Sequence, residues 1–250
     1  DKPHTDSLQE TIAKVKYLVC DSIKGQMVSD VPIGTFLSGG LDSSIISAVV
    51  GEQLALRGQR LKTFTITYRD NSKYFTSSNF QPNSDDDFVG VMVKYLNSDH
   101  TTFVIDTPQL VQALYSAVDA RDLPGMADVD SSLLLFCKEI KEHVTVALSG
   151  ECADEIFGGY PWFHRKEMYM QNTFPWSYDL SPRIVLFKDD FINSLPLKEY
   201  VYDAYETSIN QCPHTDGETI TEYNRRKISW LNIRWFMMTL LNRMDRCSMY

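Results

Sequence analysis

Two stretches of this 250-residue chain carry residues whose types and spacing could do chemistry. The first is Ser38-Gly39-Gly40-Leu41-Asp42-Ser43-Ser44, which follows the apolar run Ile33 to Leu37 and precedes Ile45, Ile46, Val49 and Val50. A buried strand, a glycine turn and a helix are the elements this pattern predicts. Backbone N–H groups of such a turn, with those of the helix start, form a concave donor surface that suits an anion. A glycine has no Cβ, so the backbone can approach the ligand closely. Phosphate is the guest expected.

The turn also restricts the phosphate chemistry. A Walker loop places a lysine after its last glycine, but here Leu41 follows Gly40, which argues against terminal phosphoryl transfer of that kind. A serine-hydrolase elbow would need glycine where Phe36 stands. What is left is a loop of hydroxyls and N–H groups with Asp42 in place, able to hold a leaving pyrophosphate and one of its metal ions. The other reading of the same residues is a plain βα turn with a Ser or Asp cap.

The second stretch is Leu148-Ser149-Gly150-Glu151-Cys152-Ala153-Asp154-Glu155-Ile156-Phe157-Gly158-Gly159-Tyr160. An apolar strand again gives way to Ser-Gly, and three carboxylates follow within five residues. On a helix, Glu151 would share a face with Asp154 or with Glu155. Like charges so close cost stability unless a cation is present; the alternative is an acidic first helical turn that complements the macrodipole. Two Ser-Gly strand ends, each trailed by an aspartate, are expected to grip Mg²⁺ and pyrophosphate together.

The remaining elements must position these two stretches. Leu8, Ile12, Val15, Leu18, Val19 and Ile23 predict an amphipathic helix that packs on a sheet. Leu61 to Tyr68 reads as a second strand, and strand, crossover helix and strand make a right-handed βαβ unit with its ligand at the carboxyl ends. Leu37 and Ile66 lie near those ends, as walls for a purine ring or as ordinary core. Residues 69–84 read as a surface loop, Asp85 to Leu96 as a helix with Asp85, Asp86 and Asp87 at its positive start, and Thr101 to Ile105 as a third strand. His100 is read as a solvated or hydrogen-bonded turn residue. Helices are expected over 108–120 and 128–140, and a short buried strand over Val144 to Leu148.

From Tyr160 onward aromatic residues accompany long helical patterns, expected over 182–194, 197–210 and 219–249. Arg165, Lys166, Arg243 and Arg246 are candidates for contacting a phosphate or a substrate carboxylate, or are simply solvated. The fold class expected is therefore α/β, a doubly wound and mainly parallel sheet followed by an α-rich lobe. Its parts are an N-terminal helix and linker over 1–27, a nucleotide-binding core over 28–160 and a helical portion over 161–250.

Composition narrows the class further. The hydrophobic fraction of 43% and charged fraction of 23% are those of a globular protein. A formal charge of −9 argues against general nucleic-acid binding. No apolar run has the roughly 18 residues of a membrane span. Five cysteines without C-x-x-C spacing suggest a reduced, cytoplasmic protein. Asp1 is not an initiator Met, and the last helical pattern runs to Tyr250 without a Gly or Asn stop, so the chain is read as a fragment.

Ser38 to Ser43 resembles the pyrophosphate-loop signature of the N-type ATP pyrophosphatases. Ser149 to Tyr160, with Phe163-His164, closely resembles the second signature of the asparagine synthetase B family; Val31-Pro32-Ile33-Gly34 and Asp245-Arg246-Cys247-Ser248-Met249 also fit it. The resemblance covers nearly the whole chain. It implies an adenine nucleotide α-hydrolase-like fold and a reaction in which ATP activates the β-carboxylate of aspartate as β-aspartyl-AMP. Ammonia then gives asparagine and AMP. Carried over by position, Leu37, Ser38, Gly39, Gly40, Leu41, Asp42, Ser43, Ser44, Ile66, Ser149 and Gly150 would bind ATP or pyrophosphate. Asp42 and Asp154 would hold Mg²⁺, and Glu151 would act at the adenylate together with both aspartates. Of the basic residues named above, Arg165 and Arg246 are kept as weaker candidates for a substrate or phosphate contact.

The family often has Gly where Cys152 stands, a change expected to be tolerated. Ammonia would come from glutamine through a glutaminase domain absent from this sequence, and a full-length homodimer is expected. Relatives that close β-lactam rings or cyclise peptides, and a nucleotide-binding module without turnover, are the competing readings.

Overall fold

The computed structural model describes residues 5–76 and 86–250. The chain divides into two compact units, one comprising Asp6–Glu151 with Leu241–Tyr250 and the other containing Cys152–Leu240.

In the first unit the order is α1 (Leu8–Gln26), β1 (Ile33–Phe36), α2 (Leu41–Ala55), β2 (Lys62–Tyr68), α3 (Asn71–Tyr74), α4 (Asp86–Leu96), β3 (Asp99–Ile105), α5 (Thr107–Arg121), α6 (Ala127–Ile140) and β4 (Val146–Leu148). The four strands form one sheet in the order β3-β2-β1-β4, and every neighbouring pair is parallel. The chain moves outward from β1 through β2 to β3, then returns to the other side of β1 to lay down β4. The β1/β4 junction is therefore the switch point of the sheet, where ligands bind in doubly wound folds.

The period of two along the strands sends side chains to two cores. On one face Ile33 and Leu148 pack with Met27, Val50, Leu54 and Leu61. On the other, Phe36, Ile66, Phe103 and Ala147 pack against Phe64, Phe136, Ile140 and Val144. Helices thus cover both faces, and the expected doubly wound architecture is the one found. A buried Thr35–Ser47 hydroxyl pair, 2.8 Å apart, ties β1 to α2.

Gly34 is required by close approach. A Cβ there would stand 2.6 Å from the Phe64 ring and 3.1 Å from the Lys62 carbonyl oxygen. Gly34→Ala is expected to lower stability by about 1–3 kcal/mol, the usual cost of overpacking. Urea unfolding of the pair of proteins checks it.

Three details differ from the expectations. The start of α1 is held by a capping box, with the Ser7 N–H donating to Glu10 Oε2 at 2.8 Å, but Leu8, Ile12 and Leu18 are exposed. Only the last turns of α1, through Ile23 and Met27, reach the core. The stretch read as a loop over 69–84 contains α3, whereas its part over 77–84 and Asp85 lie outside the described residues. His100 sits on β3 rather than in a turn, with Nδ1 2.9 Å from Thr63 Oγ1 and Nε2 3.0 Å from Thr102 Oγ1; burial lowers its pKa.

The second unit is built of short helices: α7 (Ala153–Phe157), α8 (Pro161–His164), α9 (Lys166–Tyr169), α10 (Ser181–Ile184), α11 (Asp189–Asn193), α12 (Leu197–Ile209) and α13 (Ile220–Leu231). Its core is aromatic: Trp162, Phe163, Tyr169 and Ile228 cluster in one place, and Phe174, Tyr205 and Leu231 in another. The helix expected over 182–194 is broken because Lys188 is extended and caps α11, whose first turn carries Asp189 and Asp190. The helix expected over 219–249 is interrupted at Asn232–Phe236 by a π segment before α14 (Met237–Met249). Asn232, fully buried, donates its side-chain N–H to the Ile228 carbonyl at 2.9 Å, which competes with the helical ladder. No helix among the described residues is long and apolar enough to cross a membrane.

Candidate active site

The Ser38–Ser44 loop begins where β1 ends. The Leu37 N–H donates to the Phe64 carbonyl at 2.8 Å, and its own carbonyl accepts from the Thr65 hydroxyl, so β2 holds the last extended residue in place. Gly39 then takes φ +85°, a left-handed conformation that glycine adopts at no steric cost.

Two serine hydroxyls brace the turn from within. The Ser38 N–H donates to Ser43 Oγ at 3.2 Å, the two hydroxyl oxygens lie 3.0 Å apart, and the Gly40 N–H donates to Ser38 Oγ at 3.3 Å. The helical ladder of α2 starts with the Ser44 N–H donating to the Gly40 carbonyl at 3.1 Å. Gly40 is the N-cap and supplies no side-chain acceptor. The first-turn N–H groups, those of Leu41 and Ser43 among them, therefore lie outside the ladder and carry the positive end of the helix dipole. That is an anion cradle whose shape is fixed before the anion arrives. Ser38, Gly40 and Leu41 are exposed, Gly39, Asp42 and Ser44 half-buried, and Leu37 and Ser43 buried.

Because β4 pairs with β1 in register, Thr35 opposite Leu148, Ser149 and Gly150 emerge beside this cradle. A Cβ on Gly150 would lie 3.1 Å from Asp42 Cβ and 3.1 Å from the Ser43 nitrogen. The two Ser-Gly strand ends are in contact, and the absence of a side chain at Gly150 is what lets them meet. Gly150→Val is expected to push the loops apart and weaken binding of inorganic pyrophosphate by about tenfold while the sheet stays folded. Equilibrium binding of pyrophosphate, with circular dichroism as control, tests this.

Glu151 follows directly. Its backbone N–H donates to Ser149 Oγ at 3.0 Å, and its Oε1 accepts from Arg243 Nη2 at 3.1 Å. Both side chains line an open cleft of about 190 Å³ with Ile66, Val129, Ser132, Leu133 and Phe136. Ile66 thus faces a cleft as well as the core, and the Ser132 hydroxyl at its edge accepts from the Tyr68 hydroxyl at 2.8 Å.

Glu151 does not share a helical face with Asp154 or Glu155, as the spacing had suggested. Cys152 adopts φ +75°, and α7 starts only at Ala153, so a left-handed residue separates Glu151 from the helix. A side chain in that region costs about 1–2 kcal/mol, and glycine costs about 0.5–1 kcal/mol in unfolded-chain entropy. The first effect is larger, so Cys152→Gly is expected to be more stable than Cys152→Ala by about 1 kcal/mol, read from paired thermal melts.

The carboxylates of α7 serve the second unit in different ways. Glu155 is 1% exposed and accepts from the Tyr160 hydroxyl at 2.7 Å, the environment of a structural group. Asp154 lies over the Gly158-Gly159 turn. The N–H groups of Gly158 and Gly159 donate to the Asp154 carbonyl at 2.9 and 3.0 Å, and a Cβ on Gly159 would fall 1.8 Å from Asp154 Oδ1. Gly159 thus makes room for the Asp154 side chain, while Gly158, at φ +74°, faces the Phe163 ring.

Arg246 is committed elsewhere: its Nη1 donates to Asp122 Oδ2 at 2.6 Å. Arg165 is exposed at the junction of α8 and α9. Among the arginines of the last helix it is Arg243 that meets Glu151, a pairing across 92 positions that no local pattern signals. Among the described residues no three His, Cys, Asp or Glu side chains are gathered to hold a metal ion by themselves.

A parallel, doubly wound sheet with an uncapped helix start and a glycine turn at its switch point defines an α/β domain of the nucleotide-phosphate-binding kind. The chain belongs to the asparagine synthase family, whose model matches residues 14–250. It is 49% identical over 247 residues to asparagine synthetase (glutamine-hydrolyzing) 3 of Bacillus subtilis, covering 98% of this chain and 40% of that protein. It is 37% identical over 159 residues to asparagine synthetase (glutamine-hydrolyzing) 1 of the same organism, covering 64% of this chain and 23% of the relative. Asparagine synthetase (glutamine-hydrolyzing) 2 of Oryza sativa is 32% identical over 147 residues, 56% of this chain and 23% of the relative. The chain therefore spans less than half the length of the curated relatives it matches.

Proposed function

We propose that this chain is the synthetase region of an enzyme that makes asparagine from aspartate, ATP and ammonia. The single observation that carries the reading is the contact of the Ser38–Ser44 cradle with Ser149-Gly150 at the β1/β4 switch point. Family membership says which reaction such a site would serve.

An oxygen of the aspartate β-carboxylate attacks the α-phosphorus of ATP, the bond to the bridging oxygen breaks, and pyrophosphate leaves. Ammonia then attacks the acyl carbon, the acyl–oxygen bond to AMP breaks, and one proton is lost. The N–H groups of the Ser38–Ser44 turn and of the α2 start would receive the departing pyrophosphate. Leu37, Ile66, Ser149 and Gly150 would flank the nucleotide. Glu151, at the mouth of an apolar-walled cleft, would orient aspartate or take the proton from ammonia.

Mg²⁺ is normally held by one or two carboxylates with phosphate oxygens completing the shell. Asp42, on the first turn of α2 beside the cradle, fits that description without a three-residue cluster, and the family resemblance adds Asp154 as a ligand. When bound, the ion would neutralise charge on the phosphates. Ammonia would come from glutamine through a glutaminase region, consistent with the names of the relatives and with the share of their length that this chain spans. A homodimeric full-length protein acting in the cytoplasm belongs to the same proposal; five free cysteines suit a reducing compartment.

The test is product analysis of the full-length protein given ATP, aspartate and ammonium. Asparagine and AMP are expected in equal amounts. ADP as the nucleotide product, or ATP turnover without asparagine, would overturn the assignment.

A further inference from the structure

We propose that Arg243 is a positioning residue for Glu151, holding its carboxylate aimed into the cleft; this rests on the function proposed above. Glu151 is anchored twice. Its backbone N–H is fixed by Ser149 Oγ at the end of β4, and its carboxylate by the Arg243 guanidinium on α14. Without the second anchor a glutamate side chain beside the apolar walls of Ile66, Val129, Leu133 and Phe136 would have several rotamers open to it.

The environment makes the pair consequential. The Arg243 side chain is 12% exposed and that of Glu151 24%, so the charges are shielded from solvent far more than a surface pair would be. Arg243 Nε is buried with no acceptor among the described residues. Asp130 and Arg121, which like Arg243 act on the Cys247 thiol of α14, lie 3.3 Å apart. They bond to each other and leave Arg243 as the cation that Glu151 meets.

The experiment is steady-state kinetics of the full-length protein with ammonium as nitrogen donor. Arg243→Met, which keeps side-chain length and removes charge, is expected to lower kcat by about 10–100-fold while KM for ATP changes by less than about twofold. Arg243→Lys is expected to recover most of kcat. Combined with Glu151→Gln, Arg243→Met should add no further loss, because its effect passes through the carboxylate.

Multiplicative losses in the double variant, a loss confined to KM for ATP, or failure of Arg243→Lys to exceed Arg243→Met would overturn the positioning role. The function itself fails by a different sign, absence of aspartate-dependent turnover in the unsubstituted protein, and the role of Arg243 falls with it. Should Arg243→Met not fold, Arg243→Gln takes its place in the cycle with Glu151→Gln: non-additive losses support the role, additive ones contradict it.

Discussion

Asp42→Asn is expected to reduce aspartate-dependent turnover by about 10²–10³-fold, the range seen when one preorganised electrostatic group is removed from a reacting phosphate or oxyanion. The substitution keeps the size of the side chain and removes its charge. Asp42 occupies the first turn of α2, half-buried, with its Cβ against Gly150. A carboxylate at a helix start gains only about 0.3–1 kcal/mol from the dipole, so the fold should lose little. Activity and stability are thus predicted to separate: a large kinetic loss with a thermal melt close to that of the parent. If both fell together, Asp42 would be a helix-capping residue and the metal and pyrophosphate roles proposed for it would be wrong.

Glu151→Gln is expected to cost about 10²–10⁴-fold in asparagine formation, the usual weight of a positioned proton-transfer group. Here stability should also change. The glutamine keeps a hydrogen-bond acceptor for Arg243 Nη2 but no charge, and a mostly buried guanidinium left without its carboxylate costs about 1–3 kcal/mol. Denaturant unfolding should therefore show a moderate loss, and steady-state assays a much larger one. Unchanged turnover would show that Glu151 only neutralises Arg243.

How much of this was legible in the sequence follows from range. The β1–loop–α2 segment was readable because each residue from Ile33 to Val50 constrains its neighbours: an apolar strand, a glycine that must turn left-handed, and a helix start without a side-chain cap. Family signatures made Ser149 to Tyr160 recognisable as well. The left-handed turn of Cys152 after Glu151 was marked only by the glycine that the family often has at that position; the cysteine itself carries no local sign of it. Three carboxylates that look like one cluster consequently have three surroundings: Glu151 meets Arg243, Glu155 meets the Tyr160 hydroxyl, and the Asp154 carboxylate lies over Gly159.

The exposed face of α1 has a related cause. Amphipathic spacing states which side is apolar but not how far along the helix its partner extends, and only Ile23 and Met27 reach the core. The π segment at Asn232 depends on a buried side-chain bond to Ile228, which periodicity does not record.

The most direct measurement is the exchange of labelled pyrophosphate into ATP by the full-length protein, with aspartate present or withheld and other carboxylic acids in its place. It isolates the adenylation step from ammonia supply. Exchange that requires aspartate, and that collapses in Asp42→Asn, is predicted. Exchange supported by another acid but not by aspartate, or by none, would contradict the assignment of this site to asparagine synthesis.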